Sequence, residues 1–278
     1  MDNALYYAIA PERAGGSMQL QNRVVWITGA SGGIGEQLAL QASQAGARLV
    51  LSARRQDELE HVRAACANPG QCAVQPLDLA DFDADSAREQ AEAFFGPIDI
   101  LVNNTGISQR SLIADTDMAV YRRLMELDFF AVVALSKAVL PGMVARGGGH
   151  VVTVSSVVGY ISSPLRSGYS AAKHALHGFF DSAAAEYWDV GVRFTLACPG
   201  FVATQVSANA LTGDGSSNGR VEASTAGGMD PAESAARIWR AVAAERYEVL
   251  MGRERVYVYL KRFLPGLFAR LLRRAEQR

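Results

Sequence analysis

From Arg23 onward, short unbroken apolar runs alternate with stretches of helical period. Val24-Val25-Trp26-Ile27 is the first such run. A run this short and continuous suits a strand covered on both faces, as in a parallel sheet. A glycine-rich turn follows, then a helical stretch from about Ile34 to Ala45, closed by Gly46 as a C-terminal cap. Arg48 to Ser52 predicts the second strand. The same alternation predicts helix 56–66 before strand 72–77, helix 84–95 before strand 98–102, and helix 117–145 before strand 150–155. Helix 168–188 then precedes strand 192–197, and helix 231–244 precedes strand 247–251. Strands separated by helices of this length make βαβ units and a parallel sheet. Right-handed crossovers place the helices on both faces. The expected fold class is α/β, a doubly wound parallel sheet in a single domain spanning 21–252. Ligands of such sheets bind at the carboxyl ends of the strands.

Three segments stand outside this alternation. Residues 1–20 hold no sustained period and contain Pro11, Gly15 and Gly16, which predicts a loosely held N-terminal arm; Met18 is an alternative start. Residues 203–230 are rich in Gly, Ser, Thr, Asn and Ala, and a loop of that length predicts a mobile substrate lid. In the C-terminal extension, 253–278, Leu260, Phe263, Leu264, Leu267, Phe268, Leu271 and Leu272 recur at helical spacing among Lys and Arg, with Pro265 as the first residue of a terminal helix. Such a stripe packs on its own protein, on a subunit partner or over the pocket. A basic amphipathic helix of this kind is also suited to peripheral contact with an anionic membrane through 260–278.

Composition narrows the function classes. Hydrophobic residues make up 49% of the 278 positions, enough for one sizeable core. The 27 basic and 28 acidic residues balance to −1, which points away from nucleic acid. Three cysteines, Cys66, Cys72 and Cys198, fit neither a metal site nor a disulfide framework. Reduced thiols, the absence of a basic n-region and the absence of any run near the roughly 20 apolar residues of a membrane helix predict a soluble, cytoplasmic chain.

The candidate chemistry falls at the predicted strand ends. Thr28-Gly29-Ala30-Ser31-Gly32-Gly33-Ile34-Gly35 joins the first strand to the first helix. Glycines let backbone N–H groups approach a pyrophosphate, and the helix N-terminus faces it with partial positive charge. The alternative is a glycine-rich turn without a ligand. This segment resembles the T-G-x-x-x-G-x-G motif of the short-chain dehydrogenase/reductase family, with Gly29, Gly33 and Gly35 in its glycine positions. The resemblance extends over about residues 22–252 and implies a Rossmann-type fold binding a nicotinamide dinucleotide, with Ser31 and Ile34 among the contacts. After the second strand comes Leu51-Ser52-Ala53-Arg54-Arg55, with no acid before Asp57. An acid there would repel a ribose 2′-phosphate, whereas Arg accommodates it. The expected cofactor is therefore NADP(H), held by Arg54 with help from Arg55; the alternative is two solvated charges at a helix start. The resemblance further implies adenine contact by Asp78 and Leu79, although Asp also favours turns and caps. Asn103-Asn104-Thr105-Gly106 resembles the family's N-N-A-G. It implies sheet stabilisation by Asn103 and cofactor lining by Asn104, Thr105 and Gly106. Pro199-Gly200-Phe201-Val202-Ala203-Thr204 is similar to P-G-x-V-x-T and implies nicotinamide-side contacts from Val202 and Thr204.

Tyr169-Ser170-Ala171-Ala172-Lys173 opens a predicted helix, and residues four apart share a helix face. A neighbouring cation favours the phenolate, so Tyr169 is expected to titrate below its free value near 10. By itself a Y-x-x-x-K can be two residues sharing a surface. Ser156 at the end of the fifth strand completes an arrangement resembling the family's Ser…Tyr-x-x-x-Lys. This implies Tyr169 as general acid/base, Lys173 on the nicotinamide ribose and Ser156 on the substrate oxygen; adjacent Ser155 would face the other way. The family's usual Asn in the fourth helix is replaced here by Asp128, which is expected either to join the proton relay or to serve as a kink or ion-pair residue.

The resemblance thus implies an oxidoreductase that interconverts a carbonyl and an alcohol by hydride transfer. A chain that kept the glycine loop and lost the catalytic residues would instead be a silent NADP(H)-binding regulator. Ser156, Tyr169 and Lys173 argue against that, while Asp128 leaves it open. Tyr160, Ile161, the lid and the C-terminal tail are expected to line the pocket, and their apolar character suggests a lipophilic substrate. Family members are usually homodimers or homotetramers, and the apolar stretch 129–135 fits either an interface or the core.

Overall fold

The computed structural model describes residues 19–275. Seven strands form one sheet in the order β3-β2-β1-β4-β5-β6-β7, and every neighbouring pair is parallel. They are β1 (Val24–Thr28), β2 (Arg48–Ala53), β3 (Cys72–Pro76), β4 (Ile100–Asn103), β5 (Gly149–Val154), β6 (Val192–Cys198) and β7 (Glu248–Leu250). The crossover helices are α1 (Gly33–Gln44), α2 (Gln56–Ala65), α3 (Ala84–Phe95), α4 (Met118–Ala145), α5 (Ser167–Glu186) and, after the short α6 (Ala223–Ala226), α7 (Pro231–Ala243).

Alternate residues of β1 serve the two layers. Val25 and Ile27 pack with Leu38 and Ala42 of α1, Leu59 of α2 and Ile238 of α7. Val24 and Trp26 pack with Ala91 of α3, Leu135 and Val139 of α4, and Phe180 of α5. A strand buried on both faces has no polar side to offer, which is why the run is unbroken in sequence. The indole N–H of the buried Trp26 donates to Ser52 Oγ at 2.9 Å. The order turns back on either side of the β1–β4 neighbour pair, and the carboxyl ends of those strands open the crevice where ligands of such sheets sit.

Two elements depart from the sequence expectations. The helix 117–145 is not uniform: between Met118–Met125 and Ala131–Ala145 it makes a π turn, Glu126–Phe130, closed by the Ala131 N–H on Glu126 O. Its apolar stretch is also long enough to cross a membrane, against the sequence expectation, but half of that stretch is buried inside the protein. The second departure is at the C-terminus. A helix does begin at Pro265 (α9, Pro265–Ala275), but another, α8 (Arg255–Phe263), precedes it. The break comes at Leu264, where a following proline disfavours helical backbone. The apolar stripe is split as a result: Phe268 is buried, Leu260 and Leu272 are half-buried, and Phe263, Leu264, Leu267 and Leu271 are exposed. Of the N-terminal arm, residues 1–18 and Met18 with them lie outside the described residues.

Candidate active site

A cleft of about 850 Å³ runs along the carboxyl ends of β1, β2, β4, β5 and β6. One end is built from backbone. Gly29 and Gly33 both have left-handed φ, +63° and +59°, which L side chains rarely adopt. A Cβ on Gly33 would stand 3.0 Å from Thr204 Cγ2, and one on Gly35 would overlap the Gly29 carbonyl oxygen. No side chain caps α1, so its first N–H groups face the cleft unsatisfied, as an anion site requires. The turn is locked from behind by Thr28. Its hydroxyl accepts from the Asn104 and Thr105 N–H groups (3.1 and 3.3 Å) and donates to Val102 O. The Asn104 amide donates to Thr28 O and Gly29 O, so this side chain holds the turn while its residue lines the cleft with Thr105 and Gly106. Asn103 ties the sheet to α4 by donating to Ser136 Oγ at 3.0 Å.

Beyond the glycine turn, Ser31, Ile34, Arg54, Arg55, Asp78 and Leu79 all line the cleft. Arg54 and Arg55 are exposed, and neither forms an ion pair among the described residues. Asp78 Oδ1 accepts from the Ala80 N–H at 3.0 Å, so the turn role and the lining role coexist. A glycine cradle and an uncapped helix start fit a dinucleotide.

The other end is built from side chains, with Asp128, Lys173 and Ser156 buried and Tyr169 half-buried. Tyr169 and Lys173 lie one turn apart on α5, with the ammonium 5.6 Å from the phenol ring centroid. Lys173 is buried and donates to Val154 O at 3.3 Å. Ser156 follows β5 and lines the same cleft as Tyr169, where its hydroxyl favours the phenolate. The same hydroxyl donates to Pro199 O and accepts from the Val158 N–H. Ser155 points the opposite way, to His177 Nε2 at 3.0 Å. Asp128 enters from the π turn. It is fully buried, accepts from the Ile107 N–H at 2.8 Å through Oδ1, and keeps Oδ2 without a protein partner. A Cβ on Gly106 would stand 3.0 Å from Asp128 Oδ1 and 3.2 Å from Lys173 Nζ, so carboxylate and ammonium flank the same bare backbone.

The electrostatics correct one expectation. The Tyr169 phenol is held above its ordinary value, not below it. Burial is the largest cause and the Asp128 charge adds to it; Lys173, Arg166 and the Ser156 hydrogen bond pull the other way without prevailing. Burial likewise pushes the Asp128 carboxyl up to about 6, against the pull of Lys173 and the Ile107 N–H.

The segment 203–230 closes over this end. Leu211 N–H donates to Ser108 O, Arg110 N–H donates to Leu211 O, and Val206, Asn209 and Leu211 line the cleft. Glu222 is gripped from both sides, by Arg110 Nε at 3.0 Å and by an Arg166 amino group at 2.7 Å. Gln109, wholly buried, accepts from the Gly168 N–H at 2.7 Å and so steadies the first turn of α5 beside Tyr169. Sequence reasoning missed these residues; Arg166, three positions before Tyr169, carried no local signal. Val202 and Thr204 line the cleft as expected from the motif, whereas Tyr160 and Ile161 do not. The Tyr160 ring stacks edge-on against His177 at 4.2 Å and its hydroxyl donates to Glu248, because the turn Val157–Gly159 carries it out of the cleft. Ile161 is buried.

Residues 23–214 match the sequence family described as short chain dehydrogenase. The chain belongs to the short-chain dehydrogenase family. Among its relatives, dehydrogenase/reductase SDR family member 7B of Mus musculus is 41% identical over 261 residues, covering 91% of this chain and 81% of that protein. Dehydrogenase/reductase SDR family member 7 of Homo sapiens is 48% identical over 203 residues, 70% of this chain and 60% of that protein. A short-chain dehydrogenase from Streptomyces avermitilis superposes with a TM-score of 0.79 at 31% identity, covering 91% of this chain and 96% of that one. A short-chain dehydrogenase/reductase from Burkholderia phymatum, solved in complex with NAD, gives 0.79 at 21% identity, covering 90% and 96%. This short-chain dehydrogenase is therefore an oxidoreductase of a nicotinamide-dependent family, and it shares the family's Rossmann-type sheet.

Proposed function

We infer that the chain is an NADP(H)-dependent oxidoreductase that interconverts a lipophilic carbonyl compound and its alcohol, with Tyr169 as general acid/base. The observation that carries this reading is the convergence of Tyr169, Lys173, Ser156 and Asp128 at one end of a cleft whose other end is a glycine cradle flanked by unpaired Arg54 and Arg55. When bound, NADP(H) would supply the hydride and, once oxidised, a positive ring charge beside Tyr169. The residues' own work is to place and move a proton. In the reducing direction the protonated phenol donates to the substrate oxygen, and in the oxidising direction the phenolate accepts from the alcohol. Burial keeps the phenol protonated, which favours the donor role. Ser156 orients the substrate oxygen toward that proton. Lys173 stabilises the phenolate and, lining the same cleft, would also hold the nicotinamide ribose. Asp128 sets the charge felt by both. Val157, Val158, Phe201 and Val206 on the substrate side give that wall its apolar character.

The test is to titrate the protein with NADPH and NADH, then follow NADPH oxidation over a panel of lipophilic ketones and aldehydes. Tyr169→Phe is expected to lower turnover by about 10²–10⁴-fold while NADPH binding stays within about threefold. Turnover that survives Tyr169→Phe would end the acid/base assignment. A preference for NADH would end the Arg54 assignment and leave the oxidoreductase reading intact.

A further inference from the structure

We propose that the face formed by α8 and α9 docks on an anionic lipid surface. No residue of α8 is buried. Its outer face carries Val256, Tyr259 and Phe263, the last 71% exposed; Leu264 at the break and Leu267 and Leu271 on α9 are exposed as well. Single exposed apolar residues are ordinary on a soluble protein, but six along two helices in contact with each other mark a partner.

Charge selects the partner. Between 253 and 274 there are seven Lys and Arg against one acid, Glu254. The rest of the chain therefore carries the excess of negative charge, and this pair of helices is a local positive patch on a nearly neutral protein. Glu254 does not neutralise the outer face, since its carboxylate packs against Gly200 and Gly252. A second copy fits this surface poorly. In a two-fold dimer the same patch meets itself, so cations would face cations across an apolar centre. An anionic bilayer satisfies both halves of the pattern: apolar side chains enter the headgroup boundary while Arg and Lys remain at the phosphate level.

The position of the patch has a use. Lys261 donates to Tyr160 O at 2.7 Å, fixing α8 against the turn that follows Ser156. Glu254, at the start of α8, lines the small pocket that also contains Ser156 and Tyr169. Docking would therefore hold the substrate side of the active site beside the lipid. The docking itself does not depend on the reductase reading, and its test does not use turnover.

The experiment is co-sedimentation of the full chain with vesicles of phosphatidylcholine alone and of phosphatidylcholine with phosphatidylglycerol. Binding is expected to the anionic vesicles at about 0.1 M salt and to disappear near about 1 M, where charges are screened beyond about 3 Å. Phe263→Glu combined with Leu267→Glu is expected to weaken partition by about tenfold or more. Arg262→Gln and Arg274→Gln are each expected to weaken it by about fivefold. All four side chains are exposed, so melting temperature and NADPH titration should match the parent and report intact folding. No binding to anionic vesicles, equal binding to neutral ones, or binding undiminished by Phe263→Glu with Leu267→Glu would overturn the proposal. Concentration-dependent dimerisation abolished by the same double variant, without vesicle binding, would assign the face to a second copy instead.

Discussion

The two ends of the cleft are built on opposite principles. At the phosphate end the side chains are removed: Gly29, Gly33 and Gly35 leave backbone N–H groups bare, and the guanidinium groups of Arg54 and Arg55 stand in solvent. At the chemical end charged side chains are forced into the interior, with Asp128 and Lys173 nearly inaccessible and the half-buried Tyr169 phenol raised by desolvation. At Gly29 and Gly35 the first end has no room for an added Cβ. The second is tuned by charge and should tolerate isosteric changes while altering its titration.

The largest effect should come from adding one methyl group to the bare end. Gly35→Ala places a Cβ on the Gly29 carbonyl oxygen and 2.5 Å from Asn104 Nδ2. Backbone cannot swing aside as a side chain can, so a cost of up to about 3 kcal/mol is expected. Thermal melting should show it, and NADPH and NADH binding should weaken together. Equal loss of both distinguishes damage to the cradle from damage to phosphate selection. Arg54→Ala should do the reverse: about a tenfold weaker NADPH titration, as expected for one exposed charge-assisted contact, with NADH unchanged. If both dinucleotides weakened equally, Arg54 would belong to the cradle and not to the 2′-phosphate.

The smallest effect, and the most specific, concerns pH. Asp128→Asn keeps an oxygen for the Ile107 N–H but removes the negative charge. That charge disfavours the phenolate, so the Tyr169 pKa should fall in the variant. Alcohol oxidation needs the phenolate and rises with pH through that value, so its acid limb should move to lower pH. Carbonyl reduction needs the phenol, so its alkaline limb should move the same way. The parent carboxyl is itself neutral below about 6, and there the two profiles should converge. Profiles that differ equally at every pH would show that Asp128 acts by shape and not by charge.

What sequence could reveal follows the same division. The parallel sheet was legible because doubly buried strands are unbroken apolar runs, and the glycine turn was legible because its demands are local. Tyr169 and Lys173 were legible as a pair because four residues make one turn. The Arg110–Glu222–Arg166 bridge was not, since its members lie 56 and more residues apart and meet only when the lid folds back. The direction of the Tyr169 shift was misjudged because the neighbouring cation is written in the sequence and the depth of burial is not. Tyr160 was misplaced for a related reason: an aromatic residue near a site looks like a wall until its hydroxyl finds Glu248.

The π turn in α4 also governs where its flanks point. One residue of helix is worth about 100° of rotation, so the single extra residue between Glu126 and Phe130 offsets the two flanking segments in phase. The leading segment can aim Val120 and Leu124 at Leu211 beneath the lid, while the trailing one aims Leu135 and Val139 at the sheet. Asp128 sits at the offset itself. Its position is thus a matter of helical bookkeeping: trimming one residue anywhere in the turn would withdraw the carboxylate from Lys173 and uncouple the lid's footing from the core at one stroke.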